Sequence, residues 1–489
     1  MPVVGGGATG ADYSGNTSEL AASFQPLSYA TPTPGKWTAG TLTYTTAGLV
    51  ALFVFLLFGD FALSMRDRSS IQMLQLGITR LHASDLVMSS LVMIMPAATS
   101  LIIVPVISYR SDRTRTRWGR RIPWLFALTP IAAGCMFALA FADWMGFHIG
   151  SALHLSFRGG EFCGLMLIGL FWTVFECTAT NPSPLMGGLI NDVVPRPVLG
   201  RFYGLFRAIS LGAGMLFNKV IFGTADQHYR AIWIGIGLLF LVGFTVMCLT
   251  VKEGQYPPPP PTNPDATGLG RGATAIKGYL SDSFRHGYYV WIFAGLTLSA
   301  LAFLPFNSFS LPYAQQYRMT NQSYGDRLFW TYVCSLVLAW PVGWLVDRVS
   351  ALVVAMGCVV CYAAVMLFAA ITIHGATSYG IALVIHGVLS GCYFTSSASL
   401  GQALFPRDKY GQFFSAAGMV QALATIIMSP FLGSVLDWSH HNYRITLYLG
   451  CLLALAATAC LLVVYFSKPP AEDAPASYDF PVEPIPRGH

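Results

Sequence analysis

Ser108-Tyr109-Arg110-Ser111-Asp112-Arg113-Thr114-Arg115-Thr116-Arg117-Trp118-Gly119-Arg120-Arg121-Ile122-Pro123 packs six arginines and one acid into a single short stretch. On either side the sequence turns apolar, over 84–108 before it and 122–142 after it. Each apolar run has the roughly 20 residues that an α-helix needs to cross a bilayer. The stretch therefore reads as a basic turn joining two membrane-spanning helices. Lys and Arg collect in loops on the cytoplasmic side, so its charge also predicts which side it occupies.

The rest of the chain repeats this alternation. Of 489 residues 54% are hydrophobic and 10% charged, against about 25% charged in soluble proteins. Apolar runs fall near 43–65, 84–108, 122–142, 162–190, 202–224, 230–251, 288–313, 327–346, 350–373, 376–404, 412–436 and 443–466. Twelve runs of this length predict an all-α membrane protein. Open strands are excluded because lipid leaves their backbone polar groups unpaired. A polar stretch, 252–287, opens with five prolines at 257–261 and becomes Gly-rich. It reads as a cytoplasmic linker between two six-helix bundles, 42–251 and 288–466. Residues 1–41 read as a disordered N-terminal tail without a cleavable leader, and 467–489 as a C-terminal tail.

With both termini on one side, eighteen Lys and Arg fall on that side and eight on the other, Arg66 and Arg68 among the eight. The bias predicts cytoplasmic termini. It also accounts for the net charge of +6 without nucleic acid as a partner. All ten cysteines lie in or beside apolar runs, so Cys358-x-x-Cys361 reads as packing, not a redox or metal pair. No phosphate-binding loop and no nucleophile–base or metal constellation is legible, which argues against an ATP-driven pump or an enzyme and predicts no cofactor or metal.

The halves echo each other. Asp112-Arg113 follows span two and Asp347-Arg348 follows span eight, while Pro195-Arg196-x-x-x-Gly200 follows span four and Pro406-Arg407-x-x-x-Gly411 follows span ten. Parallel six-span repeats are a transporter plan in which the substrate sits at the midplane between the halves.

The 108–123 stretch resembles the loop between helices two and three of the major facilitator superfamily. Its extended form, Asp-Arg-x-Arg-x-Arg-Trp-Gly-Arg-Arg-x-Pro, is similar to that of the sugar–cation symporters, the glycoside–pentoside–hexuronide group and the sucrose–proton symporters. Ser108 stands where the usual first Gly would be, and the second-half copy lacks the later Gly-Arg-Arg. Sucrose–proton symporters carry an acid in span four with an Asp sixteen residues on; Glu176 and Asp192 have that separation, and Asn181 lies near a family Asn pair. The family Arg falls at Gly187 and is missing. The resemblance implies a major facilitator fold and an inner gate built from Asp112, Arg113, Gly119, Arg120, Arg121, Asp347 and Arg348. In that gate Asp interacts with a positive helix N-terminus and Arg with carboxylates across the interface between the halves.

Within the spans, polar residues are the candidate transport groups. Glu176 lies in Phe171-Trp172-Thr173-Val174-Phe175-Glu176, and a carboxylate at mid-helix costs about 2.5–3.5 kcal/mol on insertion scales. It is the expected proton-coupling group and also a hydrogen-bond acceptor for sugar hydroxyls. Asp60 sits in the outer part of span one, and either binds the coupling cation or caps the helix or pairs with Arg66. Arg207, two turns into span five, resembles the Arg on the fifth helix of melibiose-type carriers. It pairs with Glu176, binds substrate, or snorkels to the interface. Asn181, Asn307, Tyr393 and Gln421 are candidate hydrogen-bonding groups, and Trp172 a stacking surface. With no second acid in span two, protons are favoured over sodium.

These readings predict a monomeric, multi-pass carrier of the bacterial inner membrane that couples uptake of a sugar or glycoside to protons by alternating access. A proton-driven exporter of amphipathic compounds, and a membrane assembly or pigment-handling protein on the same scaffold, are the alternatives.

Overall fold

The computed structural model describes residues 36–179, 182–256, 284–406 and 410–467. The predicted tails beyond these bounds, the Pro-rich part of the linker, Asn181 and Arg407 lie outside them. The described residues begin with a two-stranded antiparallel hairpin, β1 (Lys36–Ala39) and β2 (Leu42–Thr45), inside the segment read as a tail. Thr45 then caps the first helix by accepting from the amide of Gly48.

Among the described residues twelve long helices follow. The first half holds α1 (Thr46–Arg80), α2 (Asp85–Arg113), α3 (Ile122–Ala152), α4 (Phe157–Ala179 and Pro182–Val193), α5 (Arg196–Leu216) and α6 (Ala225–Thr250). The second half holds α7 (Gly287–Gln316), α8 (Asn321–Arg348), α9 (Ala351–Thr372), α10 (Ala376–Ser397), α11 (Tyr410–Trp438) and α12 (Arg444–Phe466). Among the described residues eleven continuous stretches are long and apolar enough to cross a membrane. One of them, Arg196–Thr250, has 55 residues, far more than one crossing needs. It reverses where a π turn at Phe217–Ile221, a 3-10 turn at Phe222–Thr224 and the non-helical backbone of His228 interrupt it. Both α5 and α6 pack along α1, so the stretch supplies two crossings.

The largest departure from the sequence reading is α1. The apolar run ends at residue 65, but the helix continues to Arg80. Arg66, Asp67 and Arg68 are therefore mid-helix residues and not part of an outer loop. No Gly or Pro interrupts the chain from Phe61 to Leu76, so nothing local stops the helix there. Removing Arg66 and Arg68 from the loop count widens the charge asymmetry to eighteen against six. The Asp-Arg pairs end α2 and α8, and Pro195 opens α5. Gly212 has open space around it, while a Cβ at Gly214 would meet Tyr332 across the interface between the halves and Arg68 of its own half. All ten cysteines are free.

Polar contacts between the halves gather at the end remote from the linker. There α2 meets α11 and α5 meets α8, two contacts related by the repeat. Asp437 accepts from the amides of Asp85 (2.7 Å) and Leu86 (3.0 Å) at the start of α2. His441 Nδ1 lies 2.7 Å from Asp85 Oδ2, and the Tyr443 hydroxyl donates to Asp85 Oδ1 (3.0 Å). On the other flank Lys219 pairs with Asp326 (2.8 Å) and the Asn321 amide donates to Asp226 (2.9 Å).

Candidate functional site

Between the halves, near mid-span, lies a cavity of about 570 Å³. Its first-half wall comes from α1, where Asp67, Arg68, Ile71, Gln72 and Gln75 face it. Spacings of one, four, five and eight residues put these side chains on one helical face. Arg207 and Leu211 of α5 extend that wall. The second half contributes Asn307 and Ser308 of α7, Tyr332 and Ser335 of α8, and His386, Ser390 and Phe394 of α10. Asp67 is 46 % exposed although it sits mid-helix, and Arg207 is exposed too, so solvent reaches the wall. At the floor the Gln75 amide donates to the Ser308 carbonyl (2.9 Å) and ties α1 to α7.

Three consecutive charges on α1 go to different places, because successive helical residues diverge by about 100°. Arg66 turns into the first-half core, 1 % exposed. It donates from Nε to Asp67 Oδ1 (3.0 Å) and from a terminal nitrogen to the Ala179 carbonyl (2.8 Å), and its guanidinium lies 4.6 Å from the Phe240 ring centroid. A buried arginine without such partners would be expensive. Arg68 lies on the cavity face, its guanidinium 5.3 Å from the Tyr332 ring centroid. On α10, His386 Nε2 is 2.9 Å from Asn307 Oδ1 and its Nδ1 is 3.0 Å from the Tyr362 hydroxyl. Buried His386 and Tyr362 thereby fix which way the exposed Asn307 amide faces.

Of the transport residues expected from sequence, Arg207 and Asn307 line the cavity. Glu176 is buried in α4 at 8 % exposure and does not line it. Phe175 and Ala179, on either side of Glu176, both contact Arg66. Trp172 is fully buried, stacked on Phe175 at 5.1 Å, and its indole N–H donates to the Leu91 carbonyl (2.8 Å). That bond leaves its donor committed to packing α4 on α2. Tyr393 is buried beside Phe303 on α7, and Gln421 is exposed on α11; neither is in the cavity wall. Asp60 is buried two turns before Asp67, nearer the middle of α1 than its outer part. Its Oδ1 accepts from Ser64 (3.3 Å) and its Oδ2 has no partner among the described residues. The ion pair of Arg66 goes to Asp67, not to Asp60.

The sequence reading passed over Asp67, Arg68, Gln72, Gln75 and His386. Ending span one at residue 65 hid the first four. The signal that finds them is the polar face repeating at 68, 72 and 75 without a helix breaker.

At the linker end the basic loop is held inside the first half. Arg120 makes a bidentate contact to Asp192 (3.1 and 2.7 Å), and Arg121 reaches Asp192 (3.0 Å) and Asp112 (3.2 Å). Arg113 ends α2, half-buried. The carboxylate on a helix N-terminus is not Asp112, which lies at the C-terminal end of α2. It is Glu253 at the start of the linker, which accepts from the amides of Arg120 (2.9 Å), Arg121 (2.8 Å) and Ile122 (2.6 Å) at the start of α3. Gly119, at φ +107°, makes this possible, since a Cβ there would lie 2.4 Å from the Glu253 carboxyl carbon. Tyr256 donates to Glu253 (2.9 Å) and lies under Arg120. Burial, with Glu253 and Asp192 beside it, raises the Tyr256 pKa. The second-half pair is different: Asp347 and Arg348 are exposed, and Arg348 stacks on Trp344 of its own helix.

A twelve-helix membrane fold in two repeated halves around a central cavity is the architecture of a membrane transporter. The sequence matches the Major Facilitator Superfamily over residues 81–429, and the chain belongs to that family. The fold is similar to that of a bacterial homologue of the iron transporter ferroportin in its inward-facing state (TM-score 0.62, 16% identity, covering 86% of this chain and 100% of that one). It is also similar to the peptide transporter POT in complex with sulfate (0.60, 13%, 85% and 93%) and to a D-xylose–proton symporter (0.55, 17%, 84% and 96%).

Proposed function

We propose that this protein is a monomeric proton-coupled symporter that takes up a sugar or glycoside by alternating access. It would sit in a bacterial inner membrane with both termini in the cytoplasm. The observation that carries the reading is the central cavity. At about 570 Å³ it falls among small-molecule sites. Neutral hydrogen-bonding groups from both halves converge on it: Gln72 and Gln75 from one, Asn307, Ser335 and Ser390 from the other. Tyr332 and Phe394 offer aromatic faces for the apolar side of a pyranose ring. A substrate touching both halves is what lets binding energy drive their rocking.

The charge asymmetry of the loops supports a cytoplasmic linker end. With the far end held shut across the halves and solvent reaching Asp67 and Arg207, this conformation is the inward-open one. Proton coupling is assigned to buried or cavity-facing carboxyls on α1 and α4: Asp60, Asp67 and Glu176. Asp67 is the acid that substrate and water meet directly; Asp60 and Glu176 lie behind it. One charge moved through about 100 mV is worth roughly 2.3 kcal/mol, enough for about fifty-fold accumulation.

The test is uptake into proteoliposomes under an imposed inward proton gradient. Sugar-dependent proton entry is expected, lost in Asp67→Asn and reduced in Glu176→Gln. Accumulation that ignores the proton gradient ends the coupling scheme, and efflux driven by the same gradient converts the reading to an exporter.

A further inference from the structure

We propose that the far end carries a zinc site shared by the two halves, with Asp85 of α2, Asp437 of α11 and His441 of the α11–α12 turn as its ligands. A carboxylate oxygen from each Asp and a ring nitrogen of His441 all lie within 4.8 Å of one another. Asp85 and Asp437 are 352 residues apart in the chain, so no local spacing announces the constellation.

The geometry needs little adjustment. His441 Nδ1 and Asp85 Oδ2 are 2.7 Å apart, whereas neighbouring ligands on a tetrahedral zinc stand about 3.3 Å apart. An ion therefore enters by parting these two atoms and replacing the hydrogen bond between them. The other partners can stay. Tyr443 donates to Asp85 Oδ1 (3.0 Å) and orients that carboxylate, as outer partners of metal ligands do. Asp437 accepts one amide on each oxygen, and a carboxylate oxygen has a second lone pair to give. The His441 side chain is 55 % exposed, so an ion has a route in and water can take the fourth position.

Charge points the same way. Among the described residues neither Asp85 nor Asp437 pairs with a Lys or Arg, and the base beside them is His441. Two acids and one imidazole leave a charge of −2 with the ring neutral and −1 with it protonated. Asp85 is 4 % exposed, and unbalanced charge is costly there. A divalent cation cancels it. The imidazole nitrogen favours zinc over magnesium or calcium, which take oxygen ligands.

Packing has already brought the ligands together. A Cβ at Gly433 would lie 2.6 Å from Leu86 Cα, and the Ser429 hydroxyl donates to the Ser89 carbonyl (2.8 Å). The ends of α2 and α11 are thus in contact without an ion, so binding has little left to order. Because the ligands come from both halves, a bound ion holds the far end shut.

The experiment is calorimetric titration of zinc chloride into the purified full-length protein, freed of any histidine tag, with magnesium chloride as control. Saturation at one zinc per chain is expected, with no response to magnesium at the same concentrations. His441→Ala, Asp437→Asn and Asp85→Asn should each weaken zinc binding at least about tenfold. Should Asp85→Asn fail to fold, Tyr443→Phe takes its place; it keeps all three ligands, frees the Asp85 carboxylate to turn and should weaken binding about tenfold. Absence of stoichiometric zinc binding overturns the proposal, as does an equal response to magnesium. Zinc binding that survives His441→Ala unchanged places the ion elsewhere, on the free cysteines for instance, and overturns it too. Loss in the second-half variants alone, with Asp85→Asn or its replacement unaffected, overturns the bridge between the halves. The titration contains no substrate, so its failure leaves the transport reading standing, and failure of proton-driven uptake leaves the zinc site standing.

Discussion

The two ends of the helix bundle use the same chemistry for opposite purposes. At the linker end Asp192 collects Arg120, Arg121 and Tyr256, and Glu253 collects three backbone amides, all within the first half and the start of the linker. At the far end Asp437 collects two backbone amides and Asp85 collects His441 and Tyr443, but the partners come from opposite halves. Under the proposed alternating-access cycle the first set would not have to break when the halves rock, and the second would have to break each time the far side opens. Both ends use carboxylate contacts worth about 1.5–3 kcal/mol each; what differs is whether the partners belong to one half or to both. On the proposed cycle the basic loop that dominates the sequence would be a brace, and the latch would lie in residues that form no motif.

Removing the brace should produce the largest effect. Asp192→Ala leaves two largely buried guanidiniums short of a partner and should cost about 3 kcal/mol of stability, read as a lowered melting temperature in detergent. The equilibrium between conformations should stay unchanged; a shift in it would mean that the brace also gates. Gly119→Ala strains a left-handed backbone position and drives a methyl into Glu253. A loss of about 1–3 kcal/mol is expected, and a neutral result would mean that the linker is not seated on this loop.

The latch should behave in the reverse manner. Asp437→Asn weakens the cap on α2 by about 1–2 kcal/mol, which raises the far-end-open population about tenfold while barely moving the melting temperature. Spin-label distances between the starts of α2 and α12 would show it, and an unshifted distance distribution would break the distinction between brace and latch. Asp112→Asn should cost under about 0.5 kcal/mol, because the Asp112 side chain is 55 % exposed.

The smallest effect is a pH dependence at the brace. Tyr256 has its pKa raised in the folded state, chiefly by burial and then by Glu253 and Asp192. Folding therefore retains this proton longer than the unfolded chain does. Its contribution is fully present below about pH 10, the ordinary tyrosine value, and declines as pH rises above it. Tyr256→Phe should flatten that alkaline decline, and an unchanged slope would remove Tyr256 from the brace.

How much of the fold and the site is legible in the sequence follows from the kind of signal each feature leaves. Span count, the six-plus-six division and the Asp-Arg echoes are written in hydropathy and in short local patterns. Asp192 was visible because its spacing from Glu176 matched a family. Asp67 and Arg68 were not, because an apolar window closes at three successive charges even when the helix continues. Glu253 and Tyr256 were hidden for another reason, since nothing in a linker's composition says which backbone amides it will cap. Glu176 shows the converse: an intramembrane acid announces itself in sequence, but the sequence does not say whether it faces a cavity or the interior of its own bundle.

By itself the sequence determined that this chain crosses a bilayer about a dozen times in two related halves, because burying polar backbone in lipid leaves helices as the solution. Only the tertiary structure decided which polar side chains share a chamber. Helix rotation and the seating of α1 against α5 and α7 are set by packing between residues far apart in the chain. Those contacts place Arg68 and Arg207 in the chamber and keep Glu176 behind its wall.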